Sequence, residues 1–467
     1  MKKFHERRIL LAAFGAALIL RGLILQNYRW EQHRPSEPFF FAEAAKNFLA
    51  GKGLSWNRHY REKVYALHER SHRFMELDEI TPPDQEELEP WRGRAPGFAL
   101  LTASVFWITG SIKFFYVRVL AVLLDSLAVL LMFGIGRRLF NERVGLVSAW
   151  AYALWVPNAI VAHLPNHDAV MSFFVLLALF LFLKALDTQR LSDYAAASVA
   201  VIAGMYIRQE PILFPFLWTA GLVLIKGAGR ALRPGLLMIG LLFASMLPWM
   251  CRNYKMDHRW YFLMPEAWMT IYTGIWTFDD ARRFNLDNPE DFLVANPHVT
   301  RRSPQSEALY RSKALPVILE EPLWFMKNVF IRQLLRNTIY SKTNWTFLAE
   351  EPWLVEYKAK GGTTLGYLKD HPAQFFCRFF GKGSESLFFI LALGGIWLAR
   401  RNWRKVYFLW SIPLCYIGAY SIMHGGPSYV LPGKAPLLIL SSFCLVACWD
   451  RLMASPPGGA GRKAVRA

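Results

Sequence analysis

Ten apolar runs recur along these 467 residues, near 9–27, 118–137, 144–163, 168–186, 193–208, 211–226, 235–250, 386–400, 405–423 and 431–449. A lipid core of roughly 30 Å asks for about 20 apolar residues per helix. Backbone inside that core must satisfy its own hydrogen bonds, which a helix does within one segment. The runs therefore predict an all-α polytopic membrane protein, a bundle of about ten transmembrane helices. The runs at 193–208 and 211–226 are short for the purpose, and are expected where neighbours or local thinning of the bilayer compensate.

Lys and Arg in short loops mark the cytoplasmic side. One set of ends receives Lys2, Lys3, Arg7 and Arg8, then Arg137, Arg138 and Arg143, then Lys226, Arg230 and Arg233, then Arg400, Arg401, Arg404 and Lys405. The other set receives weakly charged links such as 163–168, 208–211 and 424–428, and two long loops, 28–96 and 251–385. Counting 97–115 as a span would put every later basic cluster on the wrong side, so it is expected to be an interfacial or re-entrant helix. Residues 317–335 are interrupted by Glu320, Glu321, Lys327 and Arg332. Each charge would cost on the order of 3 kcal/mol at the bilayer centre. An amphipathic surface helix is expected instead, starting at Ser303-Pro304, where the missing N–H of proline does no harm.

Three regions follow. Residues 1–250 form an N-terminal transmembrane module with the first outer loop at 28–96. Residues 251–385 form an extracytoplasmic loop domain, and 386–467 the C-terminal helices and a cytoplasmic tail. The net charge of +19 would suit nucleic acid in a soluble chain. Here much of it lies in short clusters beside apolar runs, so membrane lipids are the expected partners and nucleic acid is not. The five cysteines have no metal-ligand spacing and suggest no disulfide framework. The basic N-terminus imitates a signal peptide without a small-x-small cleavage site, which reads as an uncleaved first span.

Glu37 follows that span on the far side from the basic terminus. It opens a segment with an apolar face that ends in Gly51-Lys-Gly53. A carboxylate at the lipid–water boundary suits an enzyme whose substrate keeps its tail in the bilayer and presents its head at the surface. The plainer reading is a solvated loop charge.

Several segments carry a resemblance. Asn47-Phe-Leu-Ala-Gly-Lys-Gly53 closes the Glu37 helix, and Arg94-Ala-Pro-Gly-Phe-Ala-Leu100 follows. Arg118 opens the second span and Gly136–Gly145 ends it with a basic turn. Ala153-Leu-Trp-Val-Pro157, Pro248-Trp-Met-Cys-Arg-Asn-Tyr254 and Ser428-Tyr-Val-Leu-Pro432 come later. In this order they resemble the polyprenyl-phosphate-sugar-dependent glycosyltransferases of the GT-C fold, which include protein O-mannosyltransferases and lipid A aminoarabinose transferases. The resemblance implies a polyprenyl-phosphate sugar donor, an acceptor that is a lipid, glycan or protein, and an active site on the extracytoplasmic face, here of a bacterial inner membrane. It also implies an inverting displacement with Glu37 as base or orienting carboxylate. A divalent metal cation is used by some relatives and not by others. Three departures stand out: Glu37 replaces the usual Asp, Pro38 stands where a second acid is common, and Ser428 replaces an Arg, so that charge contact to the donor is either missing or supplied by Lys434.

The chemistry needs cations for phosphate oxygens and a carboxylate for the acceptor. Arg208 and Arg252, at outer span ends, read either as phosphate ligands lining one cavity or as interfacial anchors; Arg94 is similar. Asp168 reads as a second catalytic carboxylate or as a helix N-terminal acid. Glu43 and His167 read more plainly as surface groups, Glu210 stays open, and Asn344-Trp-Thr346 is a sequon by pattern only. A transporter or flippase is the rival class. It should show internal repeats, and none is clear here. An oligosaccharide ligase or polymerase would take a longer donor. One last expectation is structural. Arg21 is six residues before the outer end of span one, and Asp125 seven residues after the outer start of span two. Both then lie roughly 10 Å deep, where unpaired charge is costly, which suggests a pair or a shared polar network; the plainer reading is that Arg21 snorkels outward and Asp125 faces a water-filled cavity alone.

Overall fold

The computed structural model describes residues 2–27, 36–57, 88–91, 94–262, 267–279, 283–288, 304–338, 357, 361–423 and 427–454. The sequon at 344–346 lies outside them. The side chains of Glu37 and Ser428 also fall outside, although both positions are helical.

All ten apolar runs are helical. Helix α1 is Lys2–Asn27 and α2 is Ser36–Leu49. A two-stranded antiparallel pair, β1 Ser55–Asn57 and β2 Leu88–Pro90, follows α2. Then come α3 Gly97–Thr109, α4 Phe114–Leu139, α5 Glu142–Ala153, α6 Val156–Ala162, α7 His167–Thr188 and α8 Leu191–Ile207. The chain continues through α9 Phe214–Lys226, α10 Ala228–Asp257, α11 Ala267–Phe278 and α12 Pro304–Glu320. A 322–338 segment ends in α13, Arg332–Thr338; Thr364–Asp370 is α14. The last long helices are α15 Pro372–Ala399, α16 Trp403–Ile422 and α17 Pro427–Ala454. Helices α10 and α15 both extend into the 251–385 region.

Among the described residues, six helices are long and apolar enough to cross a membrane, and the bent pair α5–α6 makes a seventh. The runs at 193–208, 211–226 and 405–423 form shorter apolar helices. Helix α3, at 13 residues, reaches only about 20 Å. It is too short to cross, as the charge parity required. It stops at Gly110, whose φ of 62° is left-handed, a conformation that costs glycine little.

Two expectations change. Residues 144–163 were expected as one straight span, but the helix breaks between α5 and α6 with a bend of 57°. Pro157 is the reason. In an unbroken helix the Ala153 carbonyl would accept from the N–H of residue 157, and proline has none. Residues 317–335 were expected as one surface helix. Helix α12 does begin at Pro304, but the chain turns at Glu321 (φ −127°, ψ 54°) ahead of Pro322. The cause is again the residue before a proline leaving the helical region.

The break at Pro157 sits inside the bundle, where an orphan carbonyl has no water. Arg21 fills it. Its Nη1 donates to the Ala153 carbonyl at 2.9 Å and its Nη2 to the Tyr152 carbonyl at 3.3 Å. A buried guanidinium needs a counter-charge, and Asp125 supplies it, 2.5 Å from Arg21 Nε. Both side chains are fully buried. Asp125 Oδ1 also accepts from Tyr152 Oη and Asn158 Nδ2, each at 2.5 Å. The pair expected from depth alone is therefore present, and it ties α1, α4, α5 and α6 together. Arg118 repeats the device one level up: its Nε donates to the His163 carbonyl at 2.9 Å and its Nη2 to that of Leu25 at 3.1 Å. It thereby caps the ends of α6 and α1.

Removing one partner of a buried pair costs on the order of 3–5 kcal/mol, because the other charge is left uncompensated. Asp125→Leu should therefore strongly lower thermal stability in detergent. Arg21→Met with Asp125→Leu should recover part of that loss and not all, since Ala153 still lacks its donor. A double variant as unstable as Asp125→Leu alone would contradict the pairing.

Candidate active site at the outer helix ends

Four helix ends converge on one guanidinium. Arg208 is the residue that ends α8, in extended backbone (φ −149°, ψ 148°). Its Nη1 binds Asp168 Oδ1, at the start of α7. Its Nη2 lies 2.8 Å from Glu210 Oε1, on the turn that follows α8, and donates to Tyr420 Oη on α16 at 2.7 Å. The Tyr420 hydroxyl in turn donates to Glu210 Oε1. The Tyr429 ring of α17 lies 4.5 Å from the guanidinium carbon, within cation–π range. Asp168 and Glu210 are both buried. Two carboxylates thus share one arginine, with Asp168 further favoured by the N-terminus of α7.

The first outer loop approaches this cluster through aromatic rings. Phe41 of α2 lies 5.3 Å from the His167 ring, and Phe98 of α3 lies 6.4 Å from it. His167 Nε2 is 3.5 Å from Asp168 Oδ1. Glu37 lies one helical turn before Phe41 in α2. Gly97 sets the same approach from α3, since a Cβ there would stand 2.4 Å from the Tyr206 carbonyl oxygen, two residues before Arg208.

The other expected cations have partners of their own. Arg252 Nη1 donates to the Trp91 carbonyl at 2.8 Å, and its guanidinium carbon lies 4.3 Å from the Trp249 ring centroid. Arg94 stacks 5.5 Å from Phe40, and its carbonyl accepts from the Trp91 indole at 2.9 Å. Arg94 and Arg252 thus meet at Trp91, while Arg208 meets Asp168 and Glu210. Lys434 Nζ is buried against Glu385 Oε2 at 2.7 Å, and the Trp155 indole donates to Glu385 Oε1 at 2.7 Å. The Lys434 charge is therefore met within the bundle.

Glu385, Tyr420 and Tyr429 were not singled out from sequence, and Glu210 was left open. A signal existed for Glu385, an acid inside an apolar helix, but the expected span began one residue past it. Tyr420, a phenol in an apolar run, gives no such signal, and Tyr429 entered only as part of the Ser428–Pro432 motif. Among the described residues, no group of three or more His, Cys, Asp or Glu side chains is placed to hold a metal ion.

Glu43 is not the surface group expected. It is buried, and its Oε1 accepts from the Asn57 backbone N–H at 2.7 Å, pinning β1 to α2. Burial holds its carboxyl up at about 8, against the downward pull of the Asn57 N–H and the Lys46 charge. Protonated Glu43 favours the folded state. That contribution is complete below the ordinary value of 4.5 and lost as pH rises through about 8. Glu43→Gln, always neutral, should flatten the decline of thermal stability across that window. Identical pH profiles for variant and parent would contradict this.

Residues 93–250 match the family model for dolichyl-phosphate-mannose-protein mannosyltransferase. No curated protein matches the chain. Among solved structures it is similar to the Archaeoglobus fulgidus oligosaccharyltransferase tethered to an acceptor peptide containing the NVT sequon. That match has 13% identity and a TM-score of 0.54, covering 97% of this chain and 50% of that one. A second structure of the archaeal enzyme, with an inhibitory peptide and a dolichol-phosphate, matches at 14% identity and a TM-score of 0.52, covering 97% and 51%. This chain spans about half the length of the enzyme it matches. The chain shares its fold with the Archaeoglobus fulgidus oligosaccharyltransferase.

Proposed function

We propose that this protein is an integral membrane glycosyltransferase. In this reading it moves a sugar from a polyprenyl-phosphate donor to a nucleophile on the extracytoplasmic face. The observation that carries the reading is the Arg208 cluster: an arginine held by two carboxylates and two phenols at the outer ends of α7, α8, α16 and α17. The family match over 93–250 and the shared fold support it.

The chemistry follows from the groups. The new bond joins the acceptor oxygen to the sugar's anomeric carbon, and the bond from that carbon to the phosphate oxygen breaks. Glu37 takes or orients the acceptor proton, the work of a carboxylate within hydrogen-bond reach. The polyprenyl phosphate leaves with negative charge, which a fixed guanidinium stabilises. Arg208 is held in place for that task, and its fork can offer N–H groups to phosphate as Tyr420 yields its place. Asp168 holds Arg208. Arg94 and Arg252, paired at Trp91, form a second cationic station that suits the donor headgroup. Lys434, matched by Glu385, positions α15 against α17. A divalent cation would find Glu37 and Asp168 as carboxylate ligands, but Asp168 already carries Arg208, and no step here runs through a metal. The protein sits in the plasma membrane, with this site outward by the positive-inside pattern.

Purified protein in vesicles with a polyprenyl-phosphate sugar tests this. Glu37→Gln keeps the shape of the side chain and removes the base, so transfer should fall on the order of 100-fold with normal membrane insertion. In the same assay Arg208→Ala should weaken donor binding by roughly 1.5–3 kcal/mol, the value of a hydrogen bond to a charged group. Near-normal turnover of Glu37→Gln would remove the catalytic assignment. Unchanged donor affinity in Arg208→Ala would remove the phosphate assignment.

A further inference from the structure

The 322–338 segment has two faces. Phe325 and Val329 are buried in a small core with Tyr272 and Ile275 of α11 and Tyr310, Ala314 and Val317 of α12. Gln333 and Asn337 continue that face. Asn337 Nδ2 donates to the Tyr420 carbonyl at 2.9 Å and Gln333 Nε2 to that of Met423 at 3.5 Å. These carbonyls belong to the outer end of α16, so the segment lies at the outer boundary of the bundle.

The opposite face is apolar and open. Leu323 is 84% exposed, the most of any large apolar side chain among the described residues, and Met326, Ile331 and Leu335 are exposed with it. Residues 323, 327, 331 and 335 are four apart. In an α-helix such a row drifts by about 40° per step, since each residue turns about 100°. Here Phe325–Ile331 is wound as a wider π-turn, whose i→i+5 bonding takes up the drift. The row stays on one side. Its remaining member is Lys327, and Arg332 is exposed beside it. A lysine in an apolar row is what an interface allows, because the stem lies along the apolar surface while the ammonium reaches the headgroups.

We infer that this face is embedded in the outer leaflet of the bilayer, with Lys327 and Arg332 at the headgroup level. Leaflet lipid is the occupant because the row continues the lipid-facing belt of the bundle. Ile422, next to the Met423 carbonyl that holds Gln333, is exposed, as are Leu387 and Ile390 on α15. An interfacial helix of this kind sits about 5–10 Å into the headgroup–acyl boundary. The inference does not depend on the proposed activity. Its consequence is that the outer region is anchored at both ends of its packing, on α16 and on lipid.

Full-length protein with Cys251, Cys377 and Cys448 replaced by Ser, and Leu323→Cys labelled with an environment-sensitive nitrobenzoxadiazole dye, tests it in phosphatidylglycerol-containing vesicles. Lipids carrying a nitroxide near the headgroup should quench the dye several-fold more than aqueous iodide does. Ile331→Cys is a second reporter on the same face, should the first variant fail to fold, and should behave alike. Quenching by iodide to the level of free dye would overturn the inference in favour of a solvated surface. Shielding from both quenchers would overturn it in favour of a protein covering, such as a second copy of this chain.

Discussion

The Arg21 guanidinium is the interaction on which this bundle depends. Pro157 removes one backbone donor in the middle of a membrane helix and so leaves the Ala153 carbonyl without its partner. In water that would cost little. Inside a bundle it must be satisfied by protein. Arg21 does so at 2.9 Å, but this buries a charge, which Asp125 neutralises. Asp125 in turn orders Tyr152 and Asn158, one on each side of the break. A single proline thus explains why α1, α4, α5 and α6 carry buried polar groups that meet. The broken helix also leads to His163 and the start of α7, where Arg118 holds the His163 carbonyl.

That placement explains the outer site. Asp168 begins α7, Arg208 ends α8, and Glu210 lies on the turn after it, so their separation is set by two packed helices rather than by a flexible loop. Tyr420 and Tyr429 come from the far end of the chain and close the cluster. Charges held this way are pre-organised, and such groups stabilise developing charge without reorganising during the reaction. Helices α2 and α3 bring the first outer loop against the same place through Phe41, Phe98 and the close approach at Gly97. The outer region at 267–338 is fixed to α16 by Gln333 and Asn337.

Much of the helix pattern was legible in the sequence because lipid imposes a simple rule, apolar runs of a given length. The Arg21–Asp125 pair was legible for a related reason: depth along a straight helix converts residue count into distance. The break at Pro157 could have been read from the proline alone, as could the turn before Pro322. What pattern could not supply was which ends converge. Arg208 and Tyr420 are 212 residues apart, and nothing in local periodicity links them. A tyrosine in an apolar run reads as core whether its hydroxyl is idle or, like that of Tyr420, bridges an arginine and a glutamate. Arg252 shows the opposite case. Its motif was conspicuous, and one described contact of its guanidinium is structural, a hydrogen bond that ties α10 to Trp91.

The central claim is that phosphate chemistry takes place at the Arg208 cluster, facing the Glu37 turn. A cryo-electron-microscopy map of the protein with a bound polyprenyl phosphate measures this most directly. The account predicts phosphate density within hydrogen-bond reach of the Arg208 guanidinium, with the prenyl chain running into the outer leaflet and the Glu37 carboxyl on the opposite side of the reacting carbon. Phosphate density remote from both Arg208 and Glu37, with the Asp168–Arg208–Glu210 contacts undisturbed, would contradict it.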